Sequence, residues 1–369
     1  MTRSLTADAL RAVRLRAQLL AGEPARGVRE AVARVVAVQA QAAQPARLAV
    51  RARSSGLLAA DVDRAANAER GVVRSWALRG TLHMVTAADL RWMVGLLGPV
   101  FVKAGRRRRE QLGLDERTCQ RALAAIEKVL KGSRPLTRAE LVERIAGQGV
   151  GVDPGTQAPP HLLGYAANQG LICRGPDVGR GEPTYVLLDE WLPAAGPPRD
   201  RDDALAELAR RYLAGYGPSR AQDFVAWSGL PAADGRLAWR LLEGELAPVT
   251  VDGAELWARS EADLEPPRDR PPRLLGHFDT LLLGYRGRDL ILDQAHGRRI
   301  RAGGGMIKPA VLVGGRIAGT WRLESRARTA RLTVEPFTAL PRGGRDGLRA
   351  EADDVARFLG LDLSFEVAS

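Results

Sequence analysis

The sequence predicts an α+β protein made of three tandem winged-helix units followed by a small antiparallel sheet or barrel. Three observations predict it. A helix, helix, helix, hairpin order runs over 116–188, and the same order returns over 202–258. After residue 270 the texture changes from helical periodicity to short apolar runs split by glycine and aspartate. The expected boundaries are 1–115, 116–200, 201–265 and 266–369.

The N-terminal unit fits the pattern most loosely. Helices are expected over 6–20, 27–38 and 59–68, a glutamine-bearing stretch lies after the second, and apolar strands lie in "GVVRSWALRGTLHMV". In the second unit, "DERTCQRALAAIEKVLKG" is amphipathic, and "PLTRAELVERIAG" opens on Thr137 with Glu140 three residues later, a capping box. "HLLGYAANQG" reads as a third helix stopped at Gly170, and "LICRGPDVGRGEPTYVLL" as two β runs around a turn. The third unit repeats this with "DDALAELARRYLAGYG", then "PSRAQDFVAWSGL" with Ser219 as cap and Gly229 as stop, then "PAADGRLAWRLLEG". Its hairpin, "LAPVTVDGAELWA", turns at Asp252-Gly253. The Pro-rich "LEPPRDRPPR" at 264–273 marks the boundary of the last unit. Beyond it, "RLLGHFDTLLLGYRGRDLILD", "PAVLVGGRIAGTWRLES" and "TARLTVEPF" read as strands, and 347–360 as a closing helix.

At 369 residues and 45% hydrophobic, the chain is long and apolar enough for two or three folded cores. No apolar run approaches the roughly 20 residues of a membrane span. The opening "MTRSLTADALRAVRLRAQLL" is too charged for a secretory leader, so the cytoplasm is expected. Cys119 and Cys173 are far apart, and His83, His161, His277 and His296 include no short-spaced pair, so neither a disulfide framework nor a metal is expected, and no cofactor. The net charge of +12 points to a polyanion, nucleic acid first, although an arginine-, alanine- and glycine-rich composition produces the same excess. Only Lys103, Lys128, Lys131 and Lys308 are lysines, which disfavours a lyase step through a Schiff base.

The stretch "VVAVQAQAAQP", 35–45, sets glutamines among small apolar residues. On a helix, residues i and i+2 point about 200° apart, but on an extended segment they point to one side. Gln44 precedes Pro45, which disfavours the α region, so the extended form is expected and both Gln39 and Gln41 amides then face one space. On the residues alone, glutamines that cap helix ends or face solvent are the favoured reading.

"VQAQAAQPARLAVRARSSGL", "RSWALRGTLHMVTAADLRWM", "DFVAWSGL", "FDTLLLGYRGR" and "PAVLVGGRIAGTW" together resemble the AlkZ-type winged-helix DNA glycosylases, including their YcaQ-like sister group. The resemblance runs in order over nearly the whole chain. It implies three winged helices and a barrel, C-shaped around a DNA channel, and hydrolysis of the N-glycosidic bond of alkylated purines, N7-alkylguanine above all. Some members of the family unhook interstrand crosslinks or protect producers of DNA-alkylating antibiotics. The family's signature is Gln, an apolar residue, Gln, with Asp last in the sister group; Gln39-Ala40-Gln41 matches the first form.

The same resemblance implies active-site support from Asp63 and Asn67, which are i and i+4 on one helix face. Asp63 and Asn67 also fit a plain solvated face. His83 and Arg79, on the first wing, fit an active-site support and a DNA contact, or His83 is a buried structural histidine. Arg298, Arg299 and Arg301 resemble the family's basic hairpin near DNA, and Arg106 and Arg107 in "GRRRRE" fit phosphate contacts or a solvated helix end. One departure is Gly276-His277, where relatives more often carry Pro and a small residue; it bears on lesion range. The expected function is a monofunctional DNA glycosylase acting as a monomer on double-stranded DNA with bulky cationic N7-alkylpurines, with no membrane partner. A non-enzymatic winged-helix regulator and a drug-sequestering resistance protein are the alternatives. Release of free base from alkylated DNA separates the first from both.

Overall fold

The chain opens on strand β1 (Arg3–Leu5) and helix α1 (Ala7–Ala17), where the Thr6 hydroxyl caps the helix by accepting from the Ala9 N–H. Helix α2 (Val28–Arg34) is shorter than its apolar periodicity suggested. It ends at Val35, and Val36 turns the chain through the left-handed region, φ 65°, into strand β2 (Ala37–Gln39). Helices α3 (Ala43–Arg51) and α4 (Ala59–Asn67) follow. The computed structural model describes residues 3–179, 181–193 and 199–368. The chain divides into two compact units, residues 1–63 with 206–369 and residues 64–205, and the first boundary falls inside α4.

The unit of residues 64–205 begins with an antiparallel hairpin of β3 (Val72–Trp76) and β4 (Leu82–Thr86), in register Val72 to Thr86 and Trp76 to Leu82. The 25-residue helix α5 (Ala87–Gln111) leads to α6 (Glu116–Leu130), which Asp115 caps. The short strand β5 (Leu136–Thr137) runs into α7 (Arg138–Ala146), where both halves of the Thr137/Glu140 capping box form as the sequence predicts. Then come α8 (Ala158–Asn168), β6 (Ile172–Arg174), β7 (Thr184–Leu187) and α9 (Leu188–Trp191). Residue 180, in the predicted turn, lies outside the described residues. β5, β7 and β6 form one antiparallel sheet in that order. Cys119, Ile126, Leu141, Ile145 and Leu162 form the centre of the core, each with no exposed surface. Cys173 is also buried, which pushes its thiol up to about 12, so both cysteines are packing residues.

The remaining chain starts with α10 (Arg201–Tyr216), α11 (Ala221–Ser228) and α12 (Ala232–Leu241), then the hairpin β8 (Ala247–Val251) and β9 (Ala254–Ala258). Asp252 and Gly253 both have positive φ, as the two-residue turn requires, and β1 adds to β8 in parallel. Gly229 stops α11 in the left-handed conformation. Ser219 is not the cap of α11. Its backbone is tied to Trp257 in a β-bridge and its buried hydroxyl donates to the Tyr216 carbonyl, so Arg220 takes the cap position.

The C-terminal part is less strand-rich than expected. After β10 (Arg273–Leu275), residues 277–300 form helical turns, α13 (Thr280–Leu283) and α14 (Gly297–Ile300), because Asp279 is buried and caps α13 by accepting from Leu281 N–H. β11 (Ala310–Val313), β12 (Arg316–Arg326), β13 (Thr329–Pro336), α15 (Gly344–Leu359) and β14 (Asp362–Val367) complete the chain. The sheet order is β10-β11-β12-β13-β14, so β10 and β14 are edges and, among the described residues, no closed barrel forms. Nor is the sheet wholly antiparallel. α15 carries the chain from β13 back across the sheet, and such a crossover makes β13 and β14 parallel. Among the described residues, no helix is long and apolar enough to cross a membrane, and no cluster of three metal-ligating side chains occurs.

Candidate active site

The glutamine segment is held at both ends. Before it, the Tyr216 hydroxyl donates to the Val35 carbonyl at 3.0 Å, and Gly215 sits so close to the Arg34 carbonyl that a Cβ there would lie 2.4 Å from it. That packing fixes the turn at Val36 from which β2 departs. Gln39 ends β2 and is 9% exposed, Ala40 is buried, and Gln41 is exposed. The Gln39 Nε2 donates to Gln41 Oε1 at 3.3 Å, so the two amides do meet on one side of an extended segment. The predicted cause was wrong. Gln44 and Pro45 lie in the first turn of α3, where a missing proline N–H costs nothing, and the extended run ends at Ala42, φ −125° and ψ 144°. Strand β2, not the proline, gives the extension as far as Gln39, and Gln41 sits in the bend that follows it. Gln41 accepts from Gln39 and still carries two N–H donors, so the pair presents a neutral, directional hydrogen-bonding surface.

The far end of α3 is anchored by charge. Arg53, with no exposed surface, makes a two-point ion pair with Asp279, each bond 2.8 Å, and also donates to Thr280 Oγ1 and the Ala49 carbonyl. Arg51 donates to Glu351 at 2.9 Å, to Asp354 at 3.0 Å and to the Leu274 carbonyl at 2.9 Å. Burial opposes both charges, but the facing carboxylates outweigh it and raise both guanidinium pKa values. Sequence reasoning missed these pairs. The signal was available in "VRARSS", two arginines two residues apart where a largely apolar helix ends.

Asp63 and His83, the two titratable groups expected to support the glutamines, are already engaged. Asp63 accepts from Arg47 Nε at 2.8 Å and Nη2 at 2.7 Å. Asn67 is half-buried one turn further along α4. Within the unit of residues 64–205, His83 is 1% exposed, its Nδ1 lies 2.9 Å from the Thr81 carbonyl, and its Nε2 lies 3.2 Å from Arg79 Nη2. Burial, with the Arg79 cation adding to it, pushes its pKa down to about 3. A neutral ring with the proton on Nδ1 satisfies both contacts, donating to Thr81 and accepting from Arg79. His83 is therefore no proton donor near neutral pH. Arg79 takes the left-handed conformation, φ 55°, to reach it.

Residues 32–358 match the family described as DNA glycosylase AlkZ-like. The chain belongs to that family. It is a DNA glycosylase. It is 27% identical over 365 residues to an interstrand DNA cross-link repair glycosylase of Streptomyces sahachiroi, covering 94% of this chain and 95% of that protein. It is also similar to the solved structure of the Streptomyces sahachiroi DNA glycosylase AlkZ, with a TM-score of 0.85, 25% identity and full coverage of both chains.

In this AlkZ-like chain, the predicted DNA-contact arginines other than Arg79 fall at two places. Arg298 and Arg299 lie on α14 rather than between strands, and Arg299 sits 4.4 Å over the Phe337 ring. Arg301 is bridged to Ile307, closing a small turn over Gly303, Gly304 and Gly305, all at positive φ; Arg298, Arg299 and Arg301 are exposed. Arg106 and Arg107 are exposed near the end of α5, with Arg106 paired to Glu110 at 2.8 Å. Their neighbour Arg109 differs: it is buried, lies 4.6 Å over the Tyr165 ring and donates to the Val102 carbonyl. Lys308 lines a groove that begins at Gln44, so one lysine is closer to the glutamine segment than the sequence suggested.

Proposed function

We propose that this glycosylase hydrolyses the N-glycosidic bond of bulky, cationic N7-alkylpurines in double-stranded DNA, with Gln39 and Gln41 holding the attacking water. The observation that supports this most is the 3.3 Å contact between the two amides, which puts two neutral hydrogen-bonding groups side by side. An amide is a poor base, so the leaving group must be easy. An N7-alkylated purine is already cationic. As the C1′–N9 bond breaks, its electron pair neutralises the base, and no acid has to protonate it. Water then forms the new C1′–O bond as the oxocarbenium-like sugar develops, and its spare proton passes to solvent. The amides orient that water, a positioning contribution. Asp63, in the same unit as the glutamines and paired to Arg47, is in keeping with a site that supplies no acid.

The reading includes a monofunctional reaction, a monomeric enzyme and a cytoplasmic location. The three helix-and-hairpin units, 1–115, 116–200 and 201–265, are taken as winged helices ahead of a C-terminal domain, 266–369. Arg79, Arg106, Arg107, Arg298, Arg299 and Arg301 are taken as phosphate contacts, Asn67 as active-site support. The name of the Streptomyces sahachiroi relative supports interstrand crosslinks as substrates too, in repair; self-resistance to an alkylating antibiotic is a second setting that the reading includes. The test is a duplex with one N7-methylguanine. The account expects free N7-methylguanine and an intact abasic strand that breaks only on heating in alkali. Tight DNA binding with no base released would instead mark a regulator, and a borohydride-trapped covalent complex would mark a lyase, with Lys308 the first suspect.

A further inference from the structure

We propose that the groove beginning at Gln44 is a subsite for the substituent carried by the alkylated base, and that it favours a flat apolar group bearing a hydrogen-bond acceptor. The inference rests on the glycosylase reading above and goes beyond it to substrate selection.

The groove has a volume of about 440 Å³, inside the roughly 300–1,000 Å³ span of small-molecule pockets. Gln44 and Leu48 of α3 form one wall; His277, Lys308, Trp321 and Leu323 form the other. It is a preformed space, because both walls are tied down. Arg51, at the end of α3, donates to the carbonyl of Leu274, and Trp321 Nε1 donates to that of Leu275 at 2.8 Å. Gly276 lets the walls meet, since a Cβ there would lie 3.3 Å from both the Pro45 carbonyl and Leu48 Cβ.

Its position follows from the chain. Gln44 comes three residues after Gln41, so the first wall of the groove follows the amide pair directly in the chain, at the start of α3. On a purine, N7 lies across the imidazole ring from the N9 that bonds C1′. A substituent on N7 therefore needs room beside the water-holding amides, not between them.

Its chemistry selects the occupant. Leu48, Trp321 and Leu323 give apolar surface, and Trp321 offers an indole wall whose N–H is already used. At the rim, Lys308 is exposed, with no carboxylate partner among the described residues, while Arg322 is ion-paired to Glu335. His277 Nδ1 is 3.0 Å from the Ile307 carbonyl, which fixes its ring. One unpaired cation beside an apolar floor is a poor phosphate site, which needs several converging donors. It suits a ring with an acceptor at its edge.

The test compares kcat/KM for release of N7-methylguanine, N7-benzylguanine and N7-(4-carboxybenzyl)guanine from one duplex sequence. Filling the groove with Leu323→Trp should lower the benzyl-to-methyl ratio at least tenfold, the size expected for losing a buried ring. Lys308→Ala should lower the carboxybenzyl-to-benzyl ratio about five- to tenfold. Should Leu323→Trp fail to melt cooperatively, His277→Trp replaces it, and Lys308, being exposed, can be changed without that risk. Ratios within twofold of wild type in the filled and Lys308 variants would overturn the subsite while leaving the glycosylase reading intact. Wild-type enzyme that releases none of the three bases would overturn the N7-alkylpurine reading, and the subsite with it.

Discussion

The two ends of α3 do opposite work with opposite means. At its start stand two uncharged glutamines, one buried and one exposed, joined by a single amide contact. At its end stand two buried arginines, each locked to carboxylates from the C-terminal part of the chain. Charge is kept to the end that anchors and is absent from the amide pair that we propose holds the water. The difference teaches where each kind of group is tolerable. A buried ion pair is costly to form and far more costly to break, which suits an anchor. A neutral amide can turn toward a water without carrying a desolvation penalty of that size.

The comparison predicts different kinds of damage at the two ends. Gln39→Ala and Gln41→Ala should each slow single-turnover excision by roughly 10- to 10⁴-fold, the range of a positioned proton-handling group. The Gln39 change should cost at least as much as the Gln41 change. Urea unfolding should show each losing no more than about 1.5 kcal/mol, the worth of one neutral hydrogen bond. Asp279→Ala reverses the pattern. It leaves Arg53 buried without its partner and should destabilise the fold by about 3–5 kcal/mol in the same unfolding experiment. Equal stability losses at the two ends would break the comparison.

A smaller effect concerns His83. Its folded pKa, about 3, lies below its unfolded value of 6.5. Between those values the unfolded chain takes a proton that the folded protein refuses. Its contribution to stability is therefore complete above pH 6.5 and is lost as pH falls from there toward about 3. His83→Gln should flatten the acid side of a urea-midpoint profile between pH 7 and pH 4. Excision rates between pH 6 and pH 8 should show no inflection from this group. An unchanged stability profile in the variant would mean that the ring titrates in the fold as it does in the unfolded chain.

Much of this was legible in the sequence because it is local. The Thr137/Glu140 box, the Gly229 stop and the Asp252-Gly253 turn depend on neighbours within a few residues, and all three form. The meeting of Gln39 and Gln41 was also legible, although for the wrong reason: period-two geometry was right and the proline argument was not. What stayed hidden depends on distant partners. Ser219 looked like a cap until its backbone was claimed by Trp257, 38 residues on by their numbers in the chain. The run around Asp279 read as strand because its leucines are apolar, but a buried aspartate meeting Arg53 turns it into helix. The closed barrel failed for a similar reason, since the parallel pairing of β13 with β14 is made by a helix lying between them in sequence.

The central claim is that a neutral amide pair does the chemistry and so depends on a base that is already cationic. The most direct measurement is single-turnover release of N7-methylguanine and of uracil, each placed once in the same duplex sequence at one pH and salt. The account predicts rapid release of N7-methylguanine and background release of uracil, because an amide pair has no proton to give a neutral leaving group and each tenfold of rate is worth about 1.4 kcal/mol. Release of uracil at a comparable rate would contradict it and would require a group that protonates the departing base or stabilises it as an anion.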